Sequence, residues 1–176
     1  EIGEPDFATP QNIVDAASRA LNDGATHYTP ASGIRSVREA TAAYVSRRTG
    51  VPTGADNIVL TPGSKNILMF LLMALVEPGD EVILPDPGYP IYRSLTSFLG
   101  GVPVSAPIRQ SNNFRLGVAE LRSLVPPRTR VLIVNSPANP TGGVITAEDC
   151  AAIAELAIER DLVVLSDEIY GRLTYD

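Results

Sequence analysis

Val131–Gly142 reads VLIVNSPANPTG and Leu162–Tyr170 reads LVVLSDEIY. Each begins as an apolar, β-rich run and ends abruptly in amide, hydroxyl, carboxylate or phenol groups. Between them, Thr146–Arg160 has helical spacing. The two runs are therefore expected to be neighbouring parallel strands whose C-terminal ends open onto one crevice. Open α/β sheets hold their ligands at such crevices.

Working outward, the alternation of helix and strand continues. Thr9-Pro10 reads as a helix cap with Pro at the first helical position, followed by Ile13, Ala16, Ala17 and Ala20 on one face. A second helix starts near Ile34, carries Val37, Thr41, Tyr44 and Val45 on one face, and stops before Gly50. Asn57–Thr61 is expected as a strand, Ser64–Val76 as a buried helix closed by Pro78-Gly79, and Glu81–Leu84 as a strand. Tyr89–Leu99 follows as a helix, Val102–Ser105 as a strand and Val118–Leu124 as a short helix. Val131–Val134 is a strand. Thr146 caps the next helix, with Cys150, Ile153, Ala154 and Ala157 facing inward, and Leu162–Leu165 is the last strand. Strands apolar throughout and separated by helices imply an α/β fold, its mostly parallel sheet covered by helices on both faces.

Composition narrows the function. With 176 residues and 44% hydrophobic content the chain can bury a core and is most simply one domain. A net charge of −6 argues against a nucleic acid partner. The longest apolar run, Ile67–Val76, is too short to span a bilayer, so no membrane partner is expected. Cys150 and His27 are each alone, which leaves no internal disulfide and no zinc cage and suits a cytoplasmic setting. Cys150 reads as a small buried helix residue, His27 as a solvated loop residue. The chain starts without an initiator Met and stops just after a promising loop, so it reads as a piece of a longer protein.

Four loops follow strand ends: Pro62-Gly63-Ser64-Lys65, Asp86-Pro87-Gly88-Tyr89, Ser136–Gly143 and Ser166–Tyr170. In a parallel sheet these ends share one rim, where a flat, charged heteroaromatic ring could be held. Gly63-Ser64-Lys65 opens a helix, and the helix dipole there favours an anion such as phosphate. The same residues also serve an ordinary strand–turn–helix junction. No P-loop or G-x-G-x-x-G fingerprint is present, which disfavours a nucleotide-binding module. Asp167 follows an apolar strand and needs a donor or cationic partner, which a pyridinium N–H would supply; the alternative is a helix cap or surface acid. Tyr170, three residues on, could aim its hydroxyl at the same ligand. Asn139 precedes Pro140 and reads either as an amide donor to a ring oxygen or as a plain Asn-Pro turn. Tyr89 is either a stacking ring or a core aromatic at a helix start. Gly3 and Tyr28 carry no assignment beyond loop.

Together the segments Gly3-Glu4-Pro5-Asp6-Phe7, Tyr28-Thr29-Pro30 with Gly33, Thr61–Lys65, Pro78–Val82, Asn135–Gly142 and Ser166–Tyr170 resemble the class I aminotransferases. These are pyridoxal-5′-phosphate (PLP) enzymes of the aspartate aminotransferase fold, fold type I. The segments occur in the family's order and cover nearly the whole chain. The resemblance implies a domain organisation: residues 1–30 as an N-terminal segment leading into the large domain, and residues 31–176 as an incomplete, PLP-binding large domain.

Roles follow from the same resemblance. Gly63, Ser64 and Lys65 would hold the cofactor phosphate, Tyr89 would stack on the pyridine ring, and Asn139 and Tyr170 would bond its 3′-oxygen. Asp167 would pair with the ring nitrogen. Gly3 would lie by the substrate α-carboxylate, and Tyr28 would reach the phosphate of a neighbouring subunit's cofactor, which implies a homodimer. The expected activity is transamination between an α-amino acid and a 2-oxo acid. A PLP-dependent lyase or synthase of the same fold, or a non-catalytic PLP-binding regulatory domain, remain alternatives. Lys65 is the only lysine and belongs to the phosphate loop. The lysine that forms the Schiff base is expected downstream of residue 176, so these residues alone are expected to be inactive.

Overall fold

The computed structural model describes residues 6–125 and 127–174. The chain divides into two units, Glu1–Thr61 and Pro62–Asp176.

In the first unit, α1 (Gln11–Asn22) and α2 (Arg35–Thr49) are the regular elements. Pro10 is the N-cap of α1 rather than its first helical residue, and its carbonyl accepts the amides of Ile13 and Val14. No residue of α1 is buried, although its apolar spacing is sound. α2 ends on left-handed Gly50, as its sequence predicts.

The strand expected at Asn57–Thr61 does not form. Instead a 3₁₀ turn covers Ala55–Asn57 and the rest is irregular. The Arg38 guanidinium donates to the carbonyls of Ala55 (3.0 and 2.7 Å) and Ile58 (2.9 Å). The Leu60 amide donates to the Ser32 carbonyl at 3.0 Å. Those backbone groups are thereby engaged outside any strand ladder.

The second unit is built on four parallel strands among the described residues. They are β1 (Glu81–Asp86), β2 (Val102–Pro107), β3 (Thr129–Asn135) and β4 (Val163–Asp167), in the order β2-β1-β3-β4. β3 and β4 are indeed parallel neighbours, and their register sets Asn135 opposite Asp167 at the shared C-terminal rim.

The helices of this unit are α3 (Ser64–Leu75), α4 (Pro90–Phe98), α5 (Val118–Leu124) and α6 (Ala147–Arg160). Strand side chains alternate between two cores. Val82, Leu84, Val131 and Ile133 pack with Leu68 and Leu72 of α3 and Tyr92 of α4. Ile83, Leu132 and Val134 pack with Leu121 of α5 and Ile153 and Leu156 of α6. The sheet is therefore covered on both faces.

Three expectations about burial are corrected. α3 is not buried all round, since Ile67, Phe70, Leu71 and Met73 are exposed and only Leu68 and Leu72 of the helix are buried. In α6 the inward stripe is Ile153, Leu156 and Ala157, whereas Cys150 and Ala154 are exposed. The first turn of α6 instead turns Asp149 toward Arg115, which pairs with it at 2.7 Å. Finally, β4 is an edge strand among the described residues, so Val163 and Val164 are exposed despite its apolar sequence.

Candidate functional site

The chain path locates a crevice. From β1 the connection runs through α4 outward to β2. From β3 it runs through α6 the other way, to β4. The β1/β3 boundary is thus a topological switch point, where open α/β sheets bind ligands beyond the strand ends. Tyr89 follows β1 and Asn139 follows β3, one loop on each side of that boundary. Asp167 ends β4 and Ser64 opens α3; both line a cleft of about 380 Å³ with Leu68, Ser166 and Ile169.

Asp167 is held through both of its carboxylate oxygens. Tyr92 donates its hydroxyl to Asp167 Oδ2 at 2.6 Å, and the Ile169 amide donates to Oδ1 at 3.2 Å. The Asp167 carbonyl accepts from Asn135 Nδ2 at 3.1 Å and from the Ser136 amide at 3.2 Å. Burial first, then the hydrogen bond and charge of Asp167, push the Tyr92 hydroxyl far above the ordinary tyrosine value. It therefore stays protonated and donates. Tyr89, the N-cap of α4, meets Tyr92 edge-on with ring centroids 5.6 Å apart.

On the other side Asn135, 7% exposed, bridges two loops. Its Oδ1 accepts the Asn139 amide at 2.7 Å while its Nδ2 holds the Asp167 carbonyl. The Asn139 loop is closed by Gly142 N–H to Ala138 O at 2.7 Å and Ala138 N–H to Gly143 O at 2.9 Å. A Cβ at Gly143 would collide with the Phe114 carbonyl, so only glycine lets the two segments approach this closely. The Asp86-Pro87, Ser136-Pro137 and Asn139-Pro140 peptide bonds are cis.

A continuous set of contacts thus runs from Tyr89 through Tyr92, Asp167 and Asn135 to Asn139. Ser64 shares the cleft with Asp167, while Lys65 is exposed in the first turn of α3. Gly63 begins α3 with φ +87, a conformation natural to glycine, and no side chain caps that helix. Tyr170 lies three residues past Asp167, its carbonyl accepting the Leu173 amide at 2.8 Å. Tyr28, in the first unit, is fully exposed. Gly3 lies outside the described residues.

From the sequence Tyr92 carries no assignment, and Asn135 stands only as the first residue of a matching segment, without a role. A tyrosine three residues after Tyr89 signals shared placement on one helical turn, and Asn135 ends its strand where a polar residue is unusual. Neither signal says which acid or loop will be met. Among the described residues no group of three His, Cys, Asp or Glu side chains is placed to hold a metal ion, and no helix is long and apolar enough to cross a membrane.

The fold and rim define a parallel α/β protein with a cleft at the C-terminal ends of its strands. Comparison with known proteins narrows the class: the family described as aminotransferase class I and II matches residues 1–176, and the chain belongs to it. It is 42% identical over 176 residues to aromatic-amino-acid aminotransferase 2 of Thermococcus litoralis, covering 99% of this chain and 45% of that protein. It is 39% identical over 173 residues to the aspartate aminotransferase of Geobacillus stearothermophilus, covering 98% and 44%. The structure of aspartate aminotransferase from Thermus thermophilus with maleate superposes with a TM-score of 0.97 at 41% identity, covering 99% of this chain and 46% of that one. The chain therefore spans somewhat under half the length of the relatives it matches.

Proposed function

We infer that this chain is the cofactor-holding part of a PLP-dependent aminotransferase that moves an amino group between an α-amino acid and a 2-oxo acid. The observation that carries the reading is Asp167, a carboxylate fixed by Tyr92 and the Ile169 amide on a cleft shared with the start of α3. Membership of the aminotransferase family supports it independently.

The donor set fits the cofactor part by part. A helix start without a side-chain cap, with Ser64 and Lys65 in its first turn, suits the phosphate. Tyr89 suits the ring face, Asn139 and Tyr170 the ring oxygen, and Asp167 the protonated ring nitrogen. When bound, PLP supplies an electron sink for the substrate Cα. Asp167 would hold the proton on the ring nitrogen, because a nearby carboxylate favours the charged form; each tenfold of that preference is worth about 1.4 kcal/mol. Ser64 and Lys65 would orient the group from its phosphate end, and Tyr89 would keep water off one face. In a homodimer the exposed Tyr28 would reach the partner's phosphate, and Gly3 would lie by the substrate carboxylate. The large domain would take in residues 31–176, with residues 1–30 leading into it, and a cytoplasmic setting suits the lone Cys150.

The full-length protein tests this reading. Added PLP should give a visible absorbance that borohydride bleaches, and an amino acid should lose its amino group only when a 2-oxo acid is present. Asp167→Ala should still fold, with a somewhat lower unfolding midpoint because the buried Tyr92 hydroxyl loses its partner, and should lose about a hundredfold or more in turnover. Wild-type turnover in that variant removes Asp167 from the mechanism. Loss of the amino group without any 2-oxo acid indicates lyase chemistry instead.

A further inference from the structure

The Tyr92 hydroxyl serves no purpose in the packing of α4 that phenylalanine would not serve. The residue is 1% exposed and its ring sits in the apolar core beside Leu68, Leu72 and Val131. A phenol buried there requires a partner, and the one it has is Asp167 Oδ2 at 2.6 Å, within the short range of charge-assisted O–H···O⁻ bonds. With the Ile169 amide on Oδ1, each carboxylate oxygen is tied to the protein. The carboxylate plane is thereby set, and each oxygen keeps further acceptor capacity for a ligand on the cleft.

Tyr92 also shares one helical turn with Tyr89. The Tyr92 amide donates to the Tyr89 carbonyl at 3.2 Å, and the rings meet edge-on at 86°. The acid and the ring that would face the cofactor are thus linked through a single side chain. Besides Asp167, the ionisable groups whose charge reaches the Tyr92 hydroxyl are Tyr89 and Tyr170.

We propose that Tyr92 is a positioning residue: by donating to Asp167 Oδ2 it fixes the carboxylate that meets the ring nitrogen of the bound cofactor and ties it to the Tyr89 turn. The proposal rests on the PLP reading of Asp167. Without the donor the carboxylate is held only through the Ile169 amide and loses part of its orientation, so the cofactor is bound less tightly although the apoprotein still folds.

The test is PLP affinity of the full-length apoprotein, measured by titration for wild type, Tyr92→Phe, Asp167→Ala and the double variant. Tyr92→Phe should weaken binding roughly tenfold, equivalent to about 1.4 kcal/mol. In the Asp167→Ala background the same change should matter by less than about twofold, since the partner is already gone. Equal losses in both backgrounds, or no loss in either, overturn the proposal. A wild-type protein that binds no PLP, or that is indifferent to Asp167→Ala, sinks the cofactor reading instead, so the two failures are distinguishable. Should Tyr92→Phe not fold, NMR of isotope-labelled tyrosine in the full-length apoprotein decides the matter. Asp167→Ala should lower the Tyr92 hydroxyl titration only part of the way, since burial, the larger cause of its raised value, remains, and an unchanged titration contradicts the proposal.

Discussion

α6 and α3 pack against opposite faces of one sheet and begin in opposite ways. α6 closes its own N-terminus: Thr146 Oγ1 accepts the Asp149 amide at 3.1 Å, and Asp149 Oδ2 accepts the Thr146 amide at 2.9 Å. It then buries one stripe, Ile153, Leu156 and Ala157, and presents mostly charged or small residues elsewhere. α3 has no side-chain cap, starts from left-handed Gly63, and leaves Ile67, Phe70, Leu71 and Met73 exposed around buried Leu68 and Leu72. A helix capped by its own side chains is architecture. α1, α2, α4 and α5 also lack a side-chain cap, so what sets α3 apart is that its start lines the cleft that holds Asp167. The exposed apolar face of α3 further indicates more cover than the described residues supply.

The largest difference should appear in the cores. Leu156→Ala, at a fully buried position of α6, should cost about 2–5 kcal/mol in chemical denaturation of this chain. Phe70→Ala on α3, 59% exposed, should cost less than about 1 kcal/mol there. If Phe70→Ala is as costly in this chain as Leu156→Ala, the contrast between the helices fails. If it becomes costly only in the full-length protein, the cover of α3 comes from residues outside this chain.

The two N-termini come next. Thr146→Ala should lower stability by about 1 kcal/mol through loss of the cap. Ser64→Ala should leave unfolding unchanged and weaken PLP binding by the full-length protein about fivefold. A stability loss at Ser64 matching that at Thr146 would make α3 as self-contained as α6.

The smallest effect is in pH dependence. The Asp149 carboxyl is held below its ordinary value of 3.8, chiefly by the Thr146 amide and with help from Arg115. Its folded pKa is depressed, so its contribution is complete above that ordinary value and is lost as pH falls through the folded value. Tyr92 is the mirror case. Its folded pKa is raised, so its contribution is intact below pH 10.0 and declines as pH climbs further. Asp149→Asn should flatten the acid limb of the stability profile and leave the alkaline limb alone. Flattening of the alkaline limb would contradict the assignment.

Much of this molecule was legible in its sequence because its signals are local. Apolar runs and helical spacing mark β1 to β4 and α2 to α6 within a residue or two, and Val118–Leu124 matches α5 at both ends. Asn57–Thr61 misled because a strand needs a partner, and Arg38, nineteen positions before Asn57, claims its neighbours' carbonyls instead. α3 misled because an apolar sequence reports the burial a helix is suited to, not the burial it finds in a given stretch of chain.

The site divides in the same way. Ser64, Tyr89, Asn139 and Asp167 could be singled out because each lies at a strand end, at a helix start or in the loop that follows a strand. The strand order and the Asn135–Asp167 register are long-range facts with no local signature. The need of Asp167 for a donor was legible. That Tyr92 meets it was not, because 75 residues separate the two.

The most direct test of the central claim is a structure of the full-length protein with PLP bound. A carboxylate oxygen of Asp167 should lie within hydrogen-bonding distance of the ring nitrogen, still held by Tyr92, with the phosphate at the start of α3. A ring nitrogen facing any other residue, or a phosphate bound away from Ser64, would contradict the account.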